Sequence, residues 1–222
     1  MNYEVARRNM VEQQVRTWEV LEPRVLDVLG AVPREDFVNP RYRKMAYADT
    51  ALPLDHDQRM MKPVVEARLM QALNPQPSET VLEIGTGSGY LAACLSRLAG
   101  QVTSIDCVEA FVNSARRRLE SVEADNVGVH HLDVFSQEAV AQQLAGQTFD
   151  AIAVTGSART LPEQFHHLLH AEGRLFMVVG DEPAMEACLF RRVGTGGWAV
   201  ESLFETDLGR LIGAEDQPTF EW

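Results

Sequence analysis

The chain has 222 residues, 45 % of them apolar and 23 % charged, with a formal net charge of −12. One globular domain is expected from that length and balance, and the acidic excess argues against nucleic acid or anionic membranes, which are recognised by basic faces. No apolar run reaches the ~18 residues of a membrane span, "MNYEVARRNMVEQQ" lacks the apolar core of a signal peptide, and Cys94, Cys107 and Cys188 form no Cys-x-x-Cys pair, so a reduced, cytoplasmic protein without a disulfide framework is expected.

Residues 4–44 read as helices. Val11, Val15 and Trp18 recur at i, i+4, i+7, and a second helix begins at Pro23, with Val25, Leu26, Leu29 and Val32 on one face. "VPREDFVNP" breaks it with two prolines. The dense stretch "LPLDHDQRMMKP" follows at 52–63. Pro63 then opens a third helix with Val65, Leu69 and Leu73 inward, ending at "NPQP". From residue 80 the pattern changes. "TVLEIG", "QVTSID", "VGVHHLD", "FDAIAVTG" and "GRLFMVVG" read as buried strands. Between them lie helices at Leu91–Leu98, at Val108 to about Glu123, over "SQEAVAQQLAG" and over "PEQFHHLLHAE". Strands alternating with helices predict an α/β fold with a doubly wound, mostly parallel sheet. "ACLFRRVGTGGWAVESLFE" predicts an antiparallel hairpin about "GTGG" at the sheet edge, and the segment from Glu201 onward holds six acidic residues against one arginine. We expect one domain over 1–222: a helical and loop region at 1–78, the α/β core at 79–182, and a hairpin and tail at 183–222.

"VLEIGTGSGY" is the most informative stretch. It is strand, glycine-rich turn and helix, and ligands of such folds sit beyond the carboxyl ends of the strands. The dinucleotide fingerprint is G-x-G-x-x-G. Here Gly85, Gly87 and Gly89 give G-x-G-x-G, with Glu83 two residues before the first glycine. That spacing resembles the Rossmann-like S-adenosylmethionine-dependent methyltransferases. A dinucleotide needs free amides at a helix N-terminus for its pyrophosphate, whereas S-adenosylmethionine is a phosphate-free sulfonium cation that an acidic strand end suits better. Asp106 ends the second strand 21 residues after Gly85, placed to accept hydrogen bonds from ribose hydroxyls, and Asp133 ends the third, where the methyltransferase class reaches the adenine amino group.

The chain further resembles the protein-L-isoaspartate O-methyltransferases. "VLEIGTGSGYLAACLSRLAGQVTSID" is similar to their cofactor-binding half. "MVEQQVR", "VLDVLGAVPREDFV" and "AYADTALPL" are similar to their N-terminal helical region, and "FDAIAVTGSARTLPEQFHHLLHAEGRLFMVVG" matches in order and spacing. The likeness runs from about residue 9 to 180. It implies a repair enzyme that moves a methyl group from S-adenosyl-L-methionine to the free carboxylate of an isoaspartyl residue in a damaged protein, after which the ester collapses to a succinimide. It implies cofactor contacts at Glu83, Gly85, Thr86, Gly87, Ser88, Gly89, Asp106, Cys107, Asp133, Val134 and Thr155, an acceptor loop at Gln58, Arg59, Met60 and Met61, and no metal. A monomer or small homo-oligomer acting on proteins or peptides fits it. A carboxylate acceptor with pKa near ~4 is already ionised and needs no base; a phenol or amine would need one, with His56 or Asp57 as first candidates.

Two regions depart from the family. Its loop resembles Gly-x-Gly-Gln-Thr-Ile-Ser-x-Pro, with the serine contacting the substrate carboxylate. Here "DHDQRMMKP" keeps Gln58 and Pro63 but puts Asp55 and Asp57 for the glycines, Arg59 for the threonine and Met61 for the serine. Methionine cannot donate a hydrogen bond to a carboxylate, whereas Arg59 or Lys62 offers a charge. The family's apolar Val-Arg-Phe-Val-Pro-Leu strand becomes "FETDLGRLIG", with Glu205 and Asp207. Both regions border the acceptor, so a changed acceptor, or cofactor binding without catalysis, is the alternative reading.

Other features have simpler readings. Asp55, His56 and Asp57 are adjacent, point opposite ways in an extended chain and lack a partner cluster, which disfavours a metal. His166 and His170, at i, i+4, are expected on a helix surface. Of His130 and His131, one is expected to face the core and the other a helix. Cys107 is either an adenine-pocket wall or a small buried hydrophobe. Met60 and Met61 are as compatible with packing as with substrate contact, and "ARRR" reads as a solvated helix face.

Overall fold

The structure is a computed structural model and describes residues 2–194 and 197–214. Helix α1 spans Tyr3–Met10 and is capped by the Asn2 side chain, which accepts from the Val5 amide. The chain then widens into a π turn at Val11–Val15 and tightens into a 3-10 turn at Arg16–Trp18, ending at Glu19 in the left-handed region. This change of pitch destroys the expected i, i+7 phase. Val11 and Val15 are buried, but Trp18 is 45 % exposed. Helix α2 (Pro23–Ala31) buries Val25, Leu26, Val28 and Leu29, and two 3-10 turns carry the chain past the prolines to Met45. Strands β1 (Leu52–Pro53) and β2 (Arg59–Met60) pair antiparallel, pairing Leu52 with Met60. Helix α3 spans Pro63–Leu73.

The core alternates as expected: β3 (Thr80–Ile84), α4 (Tyr90–Ser96), β4 (Gln101–Asp106), α5 (Glu109–Ser121), β5 (Val127–His131), α6 (Gln137–Gln143) and β6 (Phe149–Ala158). They are followed by β7 (Leu169–Val179), β8 (Met185–Val193) and β9 (Gly197–Thr206). One sheet runs β5-β4-β3-β6-β7-β8-β9, parallel through β7 and antiparallel for β8 and β9. The edge hairpin is therefore present, although Thr195 and Gly196 of its turn lie outside the described residues. Strand order reverses between β3 and β6, which makes a crevice at their carboxyl ends.

Strand residues alternate between two apolar layers. Val81, Val102, Ala151 and Phe176 pack with the N-terminal helices, α3 and α4. Leu82, Ile105, Ile152 and Leu175 pack with Leu144, Phe165 and Leu168 on the other face. This is the period-2 geometry of a sheet covered on both sides.

One predicted helix is absent. "PEQFHHLLHAE" forms only a 3-10 turn at Glu163–Leu168, and β7 starts at Leu169. The register gives the reason: Phe149 pairs with Leu169 and Ala158 with Val179, so the connection must return along the whole of β6. Ten strand residues span about 30 Å, while ten helical residues reach only about 15 Å. The connection must therefore run nearly extended, with Phe165 and Leu168 turned inward. His166 and His170 accordingly share no helix. The His166 ring accepts a hydrogen bond from the Trp198 indole, and His170 pairs with Asp150 at 2.9 Å. His130 and His131 are both exposed, because they end the edge strand β5; the His131 ring contacts the Cys107 carbonyl at 3.0 Å.

Candidate active site

A cavity of about 510 Å³ opens at the carboxyl ends of β3, β4 and β6. The sequence has a glycine turn here because no other residue fits. Gly85 has φ +99°, and a Cβ on it would lie 2.2 Å from Thr155 Oγ1. The Thr155 hydroxyl occupies that space, contacting the carbonyls of Ile84 at 3.1 Å and Gly85 at 2.7 Å. Five amides of the turn are spent within the protein. Gly85 and Thr86 donate to the Ile105 carbonyl, Gly87 to the Asp106 carboxylate at 2.8 Å, Gly89 to the Thr86 carbonyl and Tyr90 to the Ser88 hydroxyl.

Asp106 is the hub of this side. Its second oxygen accepts from the Val108 amide at 2.9 Å. Burial pushes its carboxyl above the usual carboxylate range, and the two amide hydrogen bonds oppose that shift. A carboxylate has about four acceptor positions. Two remain for a ligand. Cys107, Asp133 and Val134 continue the wall, with Asp133 accepting from the Phe135 amide at 2.8 Å.

Of the residues expected at the cofactor, Gly85, Gly87, Asp106, Cys107, Asp133, Val134 and Thr155 line the cavity, whereas Glu83, Thr86, Ser88 and Gly89 do not. Glu83 is fully buried beneath the turn. It pairs across the sheet with Ser104, whose hydroxyl donates to its carboxylate and stands 2.6 Å from the Thr86 hydroxyl. Burial pushes the Glu83 carboxyl up to about 8, so at neutral pH it is a protonated prop for the turn and no counter-charge to a cation.

The loop between β1 and β2 covers the cavity from the other side. Gln58 donates to the Asp55 carbonyl at 3.2 Å, which places His56 and Asp57 in a tight turn, both at φ +57°. Left-handed backbone costs a non-glycine residue roughly 1–2 kcal/mol, with Asp and His among the more tolerant types. The His56 ring sits edge-on to Phe111 with centroids 5.6 Å apart, so the turn leans on the start of α5. Beyond it, Asp57, Gln58, Arg59, Met60 and Lys62 line the cavity, but Met61 does not. Met61 is 5 % exposed, and its carbonyl accepts from the Arg34 guanidinium at 2.6 Å. The paired methionines are thus anchors that hold the loop in the apolar core.

That anchor rests on a buried ion pair between Arg34 and Glu66. The guanidinium also lies over the Tyr90 ring at 4.7 Å, and Phe37 packs edge-on against the same ring. Burial pushes the Glu66 carboxyl up and Arg34 pulls it back. Because arginine keeps its proton, the ionised pair is the state that leaves no buried charge alone. Sequence spacing does not join residues 34 and 66; the one signal was a glutamate among Val64, Val65 and Ala67 on a buried helix.

The third wall was only partly anticipated. Residues 207–212 line the cavity, while Glu205 stays in β9 opposite Glu186. The segment is stapled to Ser157: its amide donates to Gly209, its carbonyl accepts from Leu211, and its hydroxyl donates to Leu208. Leu211 packs over Gly156, where a Cβ would meet it at 2.8 Å. The Arg210 side chain is taken up by the Gly180 carbonyl at 2.7 Å and Asp181 at 2.9 Å. Among the described residues no cluster of three His, Cys, Asp or Glu could hold a metal ion, and no helix is long and apolar enough to cross a membrane.

Known proteins match this arrangement over nearly its whole length. A family model described as Protein-L-isoaspartate(D-aspartate) O-methyltransferase matches residues 5–206. A protein-L-isoaspartate O-methyltransferase 2 of Pelobacter propionicus is 35 % identical over 96 % of this chain and 93 % of its own. A protein-L-isoaspartate O-methyltransferase of Methanoregula boonei is 36 % identical over 85 % of each chain. The fold matches, with a TM-score of 0.77 and 21 % identity, the crystal structure of a Plasmodium falciparum beta-aspartate methyltransferase in complex with S-adenosyl-L-homocysteine, over 95 % of this chain and 98 % of that one. The chain belongs to the protein-L-isoaspartate O-methyltransferase family.

Proposed function

We propose that this chain transfers a methyl group from S-adenosyl-L-methionine to the free carboxylate of isoaspartyl residues in proteins and peptides. The observation that carries the cofactor half is the use of the turn's amides within the protein. A pyrophosphate would need those donors free. A phosphate-free nucleoside does not, and the carboxylate acceptors of Asp106 and Asp133 suit ribose hydroxyls and an exocyclic amine instead.

In this reading the cofactor supplies, when bound, a methyl group activated by a sulfonium sulfur. Asp106 would hold the ribose through its two remaining acceptor positions, with Cys107, Asp133 and Val134 along the adenine. Gly85, Gly87 and Thr155 would border the methionine portion, the last fixed by its contacts to the turn. Residues 54–62 and 207–212 close the cavity from opposite sides and keep water from the reacting atoms. The acceptor carboxylate is ionised at neutral pH, so the chain has to orient it and need not remove a proton. Of the two base candidates that another acceptor would need, Asp57 lines the cavity and His56 does not.

The test is incubation with an isoaspartyl peptide and methyl-labelled S-adenosylmethionine. Base-labile methyl ester at multiple turnovers is expected. Binding of S-adenosylhomocysteine by calorimetry with no ester formed would overturn the acceptor half alone. A second reading, the same transfer to another acceptor, is favoured by one observation: the loop carries no hydroxyl at the position of the family's serine. It predicts base-stable labelling of some other compound class.

A further inference from the structure

Three basic side chains line the cavity, and they differ in one respect. Arg210 is engaged by Ser157, Gly180 and Asp181. The side chains of Arg59 and Lys62 make no hydrogen bond or ion pair with any described residue. Their backbone positions are nonetheless fixed. Arg59 is paired with Pro53 in the β1–β2 ladder, and Lys62 caps the start of α3. Between them Met60 and Met61 are buried, and the Met61 carbonyl is held by Arg34. The loop thus alternates two apolar anchors with two cations that line the cavity. Asp57, Asp106, Asp133, Glu182 and Asp207 line the same space without pairing with either cation.

We infer that Arg59 and Lys62 are the specificity-determining residues for the acceptor, recognising its carboxylate by charge where the family's loop offers a serine hydroxyl. The inference rests on the proposed carboxylate acceptor. It has a kinetic signature. Methyl transfer turns the carboxylate into a neutral ester, so the attraction is strongest before reaction and falls as the new C–O bond forms. Interactions stronger in the ground state than in the transition state lower KM but deepen the bound state that must react, so removing them raises KM and leaves kcat unchanged or higher. The same loss of charge favours release of the ester over the unreacted acid.

The test uses the full chain loaded with S-adenosylhomocysteine and a fluorescent isoaspartyl peptide, beside the same peptide with its free carboxylate converted to the amide. Anisotropy should show the acid bound about tenfold or more tightly than the amide, the scale of a charge-assisted contact. That ratio should collapse in Arg59→Ala/Lys62→Ala, recover in part in Arg59→Lys, and shrink at high salt in the wild type and Arg59→Lys but not in the double variant. In turnover, KM should rise by a similar factor while kcat stays unchanged or rises. Far-UV circular dichroism and the thermal unfolding midpoint report whether each variant keeps its fold. A wild-type ratio near one, or a ratio that survives the double substitution, overturns the inference. A preserved ratio that collapses in the double variant, without methyl transfer by the wild type, supports the clamp and overturns the proposed activity instead.

Discussion

Glu66→Gln is the substitution whose cost the structure sets most sharply. Arg34 is 0 % and Glu66 2 % exposed, so neither charge has water to fall back on when its partner is lost. Removing one member of a buried pair costs about 3–5 kcal/mol, because the remaining charge stays desolvated. The contrast within the same chain is Arg43 with Asp36, 44 % and 48 % exposed, where the pair is worth about 0–1 kcal/mol. For a chain of this length each kcal/mol moves the unfolding midpoint by about 2–4 °C, so Glu66→Gln should lower it by about 10 °C. Replacing both partners, as Arg34→Met/Glu66→Leu, removes the stranded charge and should recover most of the loss. Thermal unfolding followed by far-UV circular dichroism, checked by urea titration, measures both. A Glu66→Gln loss below about 1 kcal/mol, or a double variant less stable than the single one, would refute the view that burial makes this pair costly to break.

Asp106→Ala should weaken S-adenosylhomocysteine binding by roughly tenfold to a hundredfold, the loss of charge-assisted bonds of about 1.5–3 kcal/mol; calorimetry giving an affinity within threefold would place the ribose elsewhere. Met61→Ser should bring no gain in isoaspartyl activity, because the side chain is buried, and should cost about 2–4 kcal/mol of stability; a rise in turnover would show that the hydroxyl reaches the cavity. Glu83 sets a pH dependence. Its carboxyl sits at about 8 in the fold against 4.5 outside it, so the native state keeps a proton that the unfolded chain sheds. That contribution to stability is full below about pH 4.5 and is lost as pH rises through 8. The fall in unfolding midpoint between pH 6 and pH 8.5 should therefore be smaller in Glu83→Gln than in the wild type, and equal slopes would count against a protonated Glu83.

The order of strands and helices from residue 80 to 158 was readable because buried runs and helical periods leave different marks, and because glycine, aspartate and proline punctuate their ends. The turn at Gly85 and its relation to Asp106 were readable for the same reason: both lie at strand ends. What failed depended on distances that spacing does not contain. The i, i+4 spacing of His166 and His170 fits a helix, and only the length of β6 forbids one. Glu83 has the motif position of a ligand contact, but its side chain went to Ser104 on the neighbouring strand. For Met61 packing and substrate contact stood open side by side, and nothing local decided between them, because its partner Arg34 lies 27 residues earlier. The wall at 207–212 depends on Ser157, whose role as a staple no local pattern announces.

That wall also fixes an order of events. The seventh strand ends at Thr206, and residues 207–212 form their wall outside it, held at Ser157 by Gly209 and Leu211. The strands can therefore pair while one side of the cavity is still open, with Gly156 and Ser157 facing solvent. The cavity closes when Gly209 and Leu211 reach the two backbone groups of a residue some fifty positions earlier.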